Sequence, residues 1–237
     1  MSVISIRKDT KILHSNVLNQ AKEDLSRDQK RIIYLCLKEV GENKWPDDNL
    51  FKISSRYYAT VYGISVDEAT KDLKKAIAEF RGKTVTVFED IDGIEMKGEI
   101  DWTSSRWESV SKERGVYAVK VNPDLKQYLM PILYERPFTI SFFEELATLR
   151  YKYSQRLYAC LSQFRGTGEF RTTAEKLHEL WLLPPSYKKW SLMKMRAIDP
   201  AVEDLQRFED FKTLTYTTKQ NSESLSILFQ FTPKQEN

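Results

Sequence analysis

The sequence has few of the residues on which disulfide scaffolds and metal sites depend. Its 237 residues include two cysteines and two histidines. Two cysteines are too few for a disulfide scaffold, which indicates a reducing, cytoplasmic compartment. Neither His14 nor His178 has a cysteine or histidine partner at ligand spacing. We therefore expect no bound metal, and a two-histidine metal nuclease is disfavoured.

Long apolar runs and phosphate-binding glycine loops are lacking as well. No stretch approaches the roughly 18 consecutive apolar residues that span a bilayer, and the first residues lack the apolar core of a secretory signal. Gly93 and Gly98 have the outer spacing of a phosphate loop, but Glu99 and Ile100 follow where Lys and Ser or Thr are required. Both cysteines lie on apolar helical faces, where an inert core thiol is expected. We expect no cofactor and no enzymatic activity.

The composition is that of a globular chain with a slight excess of positive charge. Apolar residues make up 41% and charged residues 30%, and 37 Lys and Arg face 34 Asp and Glu. The length allows one large domain or two small ones, each with its own core. A net charge of +3 would not by itself identify a nucleic-acid-binding protein.

Capping signals predict three helices in the first half of the chain. Ser26 with Gln29 and Ser65 with Glu68 have the spacing of capping boxes, in which each side chain bonds the other's backbone N–H. The helices are predicted over 26–41, 54–63 and 65–80, with a strand over 50–53 before the second.

Two β segments follow these helices. Lys83–Phe88 and Gly115–Val121 alternate polar and β-branched residues. A long polar excursion around Trp102, Arg106 and Trp107 separates them. Two helices joined by a short turn and followed by a β-hairpin form a winged helix, a variant of the helix-turn-helix.

The second half repeats this order. Phe170–Thr173 resembles Phe51–Ser54 at an offset of 119 residues. A helix with Leu177, Leu180 and Trp181 inward, a proline turn, a basic helical stretch over 187–208, and strands over 213–219 and 225–231 are predicted to follow. The offset is typical of duplicated domains rather than of a short-period array. We therefore predict an α+β fold of two tandem winged-helix domains related by pseudo-duplication, over 1–136 and 137–237.

Positive charge is concentrated in the second of the two helices in each half. Residues 186–196 hold four basic side chains and no acidic one, whereas 197–211 hold one basic and five acidic. Helix-turn-helix proteins contact base edges with this helix. A lysine-rich face is often only solvated, but matching faces in both halves favour DNA. The side chains concerned are Lys188, Lys189, Lys194 and Arg196 in the second half and Lys71, Lys74 and Lys75 in the first.

Six short motifs occur in order along nearly the whole chain, and together they are specific although each alone is weak. They are Leu25–Leu35, Glu68–Leu73, Arg114–Tyr117, Val121–Pro123, Arg156–Tyr158 and Leu183–Tyr187. On these motifs the sequence resembles the iteron-binding plasmid replication initiators.

The resemblance implies a function as well as a fold. Members bind tandem origin repeats, or iterons, as monomers, with one helix of each domain in a major groove. Dimers bind an inverted repeat and repress the initiator's own promoter, which contributes to plasmid copy control. The first domain would serve DNA contact and dimerisation, and the second would be the principal iteron reader. Further partners would be the host replication initiator and the replicative helicase, in the bacterial cytoplasm.

The resemblance also assigns residues. Arg27 matches an arginine placed to touch phosphate. Lys194 and Arg196 match two of three consecutive arginines on the family's recognition helix, and Met195 replaces the middle one, so base readout should differ. Ile100–Ser111 corresponds to the region that pairs dimer subunits. The expected DNA-binding set is Arg27, Lys71, Asp72, Lys74, Lys75, Lys188, Lys189, Lys194 and Arg196.

Pro200 gives a further expectation for the second basic helix. A proline inside this element should kink it or start a new helix. We expect only the part before Asp199 to lie deep in the groove.

Two other functions fit parts of the pattern. A dedicated winged-helix transcriptional repressor would bind an operator without supporting replication. A replication relaxase or nuclease would cut DNA, and the lack of a histidine cluster argues against it.

Overall fold

A computed structural model describes residues 10–42, 44–110, 115–222 and 224–233. Within these ranges the strands are β1 Lys11–Ser15, β2 Lys22–Glu23, β3 Leu50–Ser54, β4 Thr84–Ile91, β5 Ile94–Asp101, β6 Thr103–Glu108, β7 Val116–Val121, β8 Phe138–Phe142, β9 Glu169–Thr173, β10 Thr215–Gln220 and β11 Leu225–Gln230. The α-helices are α1 Asn16–Gln20, α2 Arg27–Glu42, α3 Ser55–Tyr62, α4 Val66–Ala78, α5 Lys126–Leu129, α6 Phe143–Thr148, α7 Lys152–Gln163, α8 Ala174–Leu180, α9 Trp190–Met193 and α10 Asp199–Leu205.

The predicted capping box at the start of α2 is confirmed. The Gln29 backbone N–H donates to Ser26 Oγ at 3.3 Å, and the Ser26 N–H donates to Gln29 Oε1 at 2.8 Å. The helix runs through Gly41 to Glu42, so its end lies one residue past the predicted one. Its apolar face is buried, which makes α2 the central helix of the first domain.

Helices α3 and α4 form the predicted helix-turn-helix. Ser54 Oγ caps α3 by accepting from the Tyr57 N–H at 3.1 Å, and Gly63 ends it with φ +64°. Ser65 Oγ caps α4 by accepting from the Glu68 N–H at 3.1 Å. The inward side chains of α4 are buried as predicted, and they are Ala69, Leu73, Ala76 and Ile77.

The pairing of the predicted hairpin strands in the first domain is wrong. The chain over 84–91 pairs with β5, and the chain over 116–121 pairs with β6 and β3. The supposed polar excursion therefore holds two strands. Strand β5 carries charge on its solvent face, and none of its eight residues is fully buried: six, including Ile94 and Met96, are exposed, and Gly98 and Ile100 are half-buried. The usual apolar alternation is therefore obscured. Asp92 and Gly93, with φ +55° and +80°, turn the β4–β5 hairpin.

The second domain repeats the plan of the first. Sheet order is β3-β7-β6 in one and β9-β11-β10 in the other, so the winged-helix hairpins are β6–β7 and β10–β11. Thr173 Oγ1 caps α8 by accepting from the Lys176 N–H at 3.1 Å, as Ser54 caps α3 at the same offset. The predicted α+β fold of two related winged-helix domains is confirmed. The β4–β5 hairpin is an insertion that the described part of the second domain does not repeat.

Strand β8 and helix α7, which follow residue 136, contact elements of both halves of the chain. Strand β8 pairs antiparallel with β1, with Ile12 opposite Ser141. Helix α7 packs on α10 and on β8, and one hydrophobic core joins the two halves. The boundary at Arg136–Pro137 stays a prediction.

A buried ion-pair network joins β2 and α2 to α7. Glu23 in β2 lies 2.5 Å from Lys30 Nζ and 3.0 Å from Arg156 Nη1. Arg156 also donates to the backbone oxygens of Ala21 and Leu180, both at 2.8 Å. Burial alone would raise the pKa of Glu23, but Lys30 and Arg156 outweigh it and lower that pKa to about 2. Removing one partner of such a buried group leaves an uncompensated charge, so the network stabilises the packing of α7 against β2 and α2.

Candidate nucleic-acid interface

Helix α4 presents the first group of predicted DNA-binding residues. Its buried side packs on α3 and α2, which leaves Lys71, Lys74 and Lys75 exposed. Lys74 Nζ lies 3.3 Å from Glu108 Oε1 of β6. In the described part of the chain, no acidic side chain pairs with Lys71 or Lys75. These two ammonium groups are therefore the ones on α4 that are available to an anion.

Asp72 on α4 lies near Arg27, the first residue of α2, and the two charges interact. Asp72 is half-buried, and burial together with the charges of Asp28 and Glu68 raises its pKa. Arg27 Nε donates to Asp28 Oδ1 at 2.9 Å. Burial of Arg27 would lower its pKa, but the bond to Asp28 outweighs this and raises it. The guanidinium is thus held in place and charged.

The second basic element is the segment over 188–196 of the second domain, and all four of its basic side chains are exposed. Lys188 ends a 3-10 turn over Pro185–Lys188, and Lys189 occupies the N-cap position of α9 without a capping hydrogen bond from its side chain. Met193, Ala197 and Ile198 face the core at 0% exposure. The predicted helix over 187–208 is shorter than expected: helical geometry begins at Trp190 and ends at Leu205. The exposed side chains are Lys188, Lys189, Lys194, Met195 and Arg196.

A π-helical segment, Lys194–Ile198, carries the two residues expected to read bases. It lies between α9 and α10, and the Asp199 N–H donates to the Lys194 oxygen, five residues back. Pro200 stands in the first turn of α10 and has no N–H for the Arg196 carbonyl. Pro200 was expected to kink this element or to start a new helix, and α10 begins at Asp199, next to it. The wide turn that precedes α10 sets the direction of Lys194 and Arg196.

An open cleft between the two domains brings Arg27 and Arg196 together. Both line it, although they are 169 positions apart in the sequence. Lys83 and Lys152 reach across to Asp24, at 3.2 and 3.1 Å. Four more cations line the cleft with Arg27 and Arg196, and the sequence analysis did not predict them. They lie at the ends of helices and strands, where no periodic pattern marks a residue. They are Arg81, Lys83, Arg150 and Lys152.

The cleft has an excess of positive charge. Six cationic and three acidic side chains line it. Partial burial would raise the pKa of Asp24, but hydrogen bonds from Lys152 and Lys83 lower it. For Arg81, Arg150 and Arg196 the described residues supply no acidic side chain as an ion-pair partner. A low-dielectric cleft with unneutralised cations concentrates anions.

The described residues contain neither a metal site nor a membrane-spanning helix. Nowhere there do three His, Cys, Asp or Glu side chains come close enough to hold a metal ion. No helix in the same ranges has the length and apolarity needed to cross a bilayer.

Two family models divide the chain between them. The model described as initiator replication protein, WH1, matches residues 11–162, and the model described as initiator Rep protein, WH2, matches residues 173–231. The chain belongs to the initiator replication protein family. Its two matched regions correspond to the two winged-helix domains, WH1 and WH2.

Two relatives match almost the whole chain. An uncharacterised 27.6 kDa protein of Escherichia coli is 27% identical over 244 residues, covering 97% of both chains. The PI protein of Escherichia coli is 20% identical over 259 residues, covering 97% of this chain and 85% of that protein.

Solved structures confirm the fold. The Pi initiator protein in complex with iteron DNA matches with a TM-score of 0.76 at 16% identity, covering 98% of this chain and all of that one. Domains 2 and 3 of RctB match with a TM-score of 0.54 at 10% identity, covering 98% and 94%. At these identities the likeness establishes architecture alone.

Proposed function

We propose that this initiator is a plasmid replication initiator that binds origin iterons sequence-specifically as a monomer and represses its own promoter as a dimer. The observation that carries the proposal is the exposed basic segment over 188–196, whose Arg196 lines the same cleft as Arg27 of the first domain. A duplex lying along both domains would bring its phosphates to these cations. The Pi initiator, which shares this fold, was solved on iteron DNA.

The two domains would divide the work of recognition. Arg196 and Lys194 project from the π-helical segment and are suited to base edges, since Arg binds guanine O6 and N7 with two hydrogen bonds. Lys188, Lys189 and the α4 lysines are suited to phosphates, which position the protein without reading sequence. Met195, 55% exposed between Lys194 and Arg196, offers an apolar contact such as a thymine methyl accepts.

The cationic side chains of the cleft would bind the DNA phosphate backbone between α4 of the first domain and the basic segment over 188–196 of the second. Arg81 and Arg150 have no acidic partner among the described residues and line the same cleft as Arg27. A phosphate backbone crossing from one domain to the other would pass them. They would add affinity that is independent of base sequence and sensitive to salt.

Dimerisation and host contacts complete the proposal. The segment 100–111 proposed for dimerisation includes β6, an edge strand of its sheet, and Trp107 on it is 60% exposed. An unpaired edge with an exposed aromatic side chain is suited to pairing between subunits. The host replication initiator and replicative helicase would be further partners, in the bacterial cytoplasm, with the domains divided near residue 136.

A gel-shift assay on the repeats beside its own gene tests the proposal. At physiological salt we expect the full chain to bind those repeats at least about a thousandfold more tightly than random duplex. Equal binding to both would end the proposal. Deleting the gene from a minimal replicon separates an initiator from a dedicated repressor, because only an initiator is required for replication.

A further inference from the structure

A cavity among four helices of the chain has a lining that the proposed DNA recognition does not use. Residues of α1, α2, α5 and α7 line it, it is partly open, and its volume is about 70 Å³. A water molecule takes up about 30 Å³ in the liquid. The space therefore holds roughly two waters or a ligand of about four or five non-hydrogen atoms.

Much of the lining is apolar. Leu25, Ile33, Leu37 and Leu129 line the cavity and are buried in the hydrophobic core. A cavity with only such walls would stay dry. A ligand that fills this one therefore gains from an apolar part that packs on these side chains.

The charged part of the lining does not balance. Glu23, Lys30 and Arg156 all line the cavity, and each is at most 7% exposed. Two cations thus share one carboxylate, whose second oxygen already accepts from the Leu25 N–H at 3.0 Å. Burial lowers the pKa of Lys30 to about 8 although Glu23 opposes this shift. The cluster therefore buries one positive charge without an anion beside it, which is costly.

Two buried N–H groups of lining residues have no acceptor among the described residues. They are the indole Nε1 of Trp102 and the Nε of Arg156. Trp102 is 5% exposed, and its backbone is fixed by hydrogen bonds with Lys83 and Asn122. Buried donors nearly always have a partner, since an unmade hydrogen bond costs free energy. These orphaned donors call for an acceptor.

Charge, donors and walls together select the class of ligand. Water would accept from the donors but would leave the positive charge and the apolar walls uncompensated. An inorganic anion would lack an apolar part. A monocarboxylate of two or three carbons brings one negative charge, two acceptor oxygens and a short apolar tail, in a size that matches the cavity.

We propose that this cavity binds a short-chain monocarboxylate. Its carboxylate lies toward Lys30, Arg156 and Trp102, and its tail packs on the apolar walls. Because Arg156 also ties α7 to β2, the bound ligand stabilises that packing. The site goes beyond the proposed DNA recognition and does not depend on it.

Titration of the full chain with propionate tests this inference by NMR. The chain has five tryptophans, so isotope labelling of Trp alone gives one indole N–H signal for each, and Trp102→Phe identifies the signal of Trp102. At constant pH and ionic strength, propionate should move that signal downfield with saturation, at a Kd of about 1 mM or below. Neutral propionamide and the larger benzoate should not.

Thermal unfolding gives a readout that does not need the Trp102 signal. A ligand that binds only the folded chain raises Tm, so propionate should raise Tm above its value in equal sodium chloride. Trp102→Phe should weaken propionate binding by about tenfold. Trp107→Phe is the matched control and should respond like wild type, because Trp107 is 60% exposed and its indole already donates to Ser105 Oγ at 3.0 Å.

A second variant closes the cavity and keeps the test open if Trp102→Phe fails to fold. Ala159 lines the cavity from α7 and is half-buried. Leu is a good helix former, and its larger side chain would fill the space. Ala159→Leu should leave the other indole signals in place and lose the response of the Trp102 signal to propionate.

Three results would overturn the proposal. Without a saturable shift of the Trp102 signal, the cavity would hold water alone. An equal shift with propionamide or with chloride would show that the buried positive charge does not select a carboxylate. Wild-type propionate binding by either folded variant, Trp102→Phe or Ala159→Leu, would place the ligand elsewhere.

Discussion

Arg196 and Lys188 lie on the same exposed basic element but are predicted to act differently on DNA. Arg196→Ala should cost about 1–3 kcal/mol of binding free energy and relax specificity at one base pair, because a bidentate contact to a base edge is lost. Lys188→Ala should weaken all sequences alike, because a phosphate contact carries no sequence information. Binding to a set of single-base variants of one repeat measures both effects. A uniform loss in both variants would refute the base-reading role of Arg196.

His14 gives a prediction about stability. Its ring is buried in β1 beside Ser141 Oγ, at 3.2 Å from Nε2, and burial, aided by the charge of Lys30, lowers its pKa from 6.5 to about 4. Between these values the unfolded chain binds more protons than the folded one. The contribution of His14 to stability is therefore complete above pH 6.5 and is lost as the pH falls toward 4, in total about 3 kcal/mol.

Denaturant unfolding at a series of pH values checks this. Wild type should lose more stability than His14→Gln between pH 6.5 and 4. Below pH 4, protonation of Glu23, whose pKa is about 2, should destabilise wild type and His14→Gln alike. If the free energy of unfolding of wild type and of His14→Gln fell in parallel between pH 6.5 and 4, His14 would not be buried in its neutral form.

At the scale of elements, the π-helical segment is the feature with the clearest functional consequence. Pro200→Ala restores an N–H that can reach the Arg196 carbonyl and allows a regular α-helix through 194–198. A regular α-helical turn holds about one residue fewer than the π-helical turn. The change would therefore rotate the helix face that carries Lys194 and Arg196 by about 100° relative to α10. We expect iteron affinity to fall about tenfold or more, with thermal stability equal or higher. Affinity equal to wild type, measured by the same gel shift, would show that the segment does not direct Lys194 and Arg196.

Local signals explain why some elements were predictable and others were not. The caps Ser26 and Ser65 bond backbone groups three residues away, and the sequence predicted both. The partners of β4 and β7 were not found, because β5 and β6 lie on sheet edges and carry polar residues on exposed positions. Strand pairing depends on the surrounding tertiary structure, which a local pattern does not contain.

At the scale of the whole molecule, the cleft is the part of the site that sequence reasoning missed. Arg150 lies between α6 and α7 and Lys152 begins α7, far along the chain from Arg27 and Arg81. The pairing of β8 with β1 and the packing of α7 on α1 bring them together. The exposed lysines of α4 and of the second basic element, by contrast, followed from helical period and charge alone. Periodicity finds the face of a single helix, whereas a cleft between domains requires the arrangement of both.

Methylation footprinting of one repeat, bound by the full chain at a concentration where it is monomeric, tests the central claim most directly. Two protected major-groove tracts about 10 base pairs apart are predicted, one for each domain. Arg196→Ala should lose one tract, Lys71→Ala with Lys75→Ala should weaken the other, and Arg150→Ala should lower occupancy while both remain. A single tract, or two tracts that both depend on Arg196, would contradict the account.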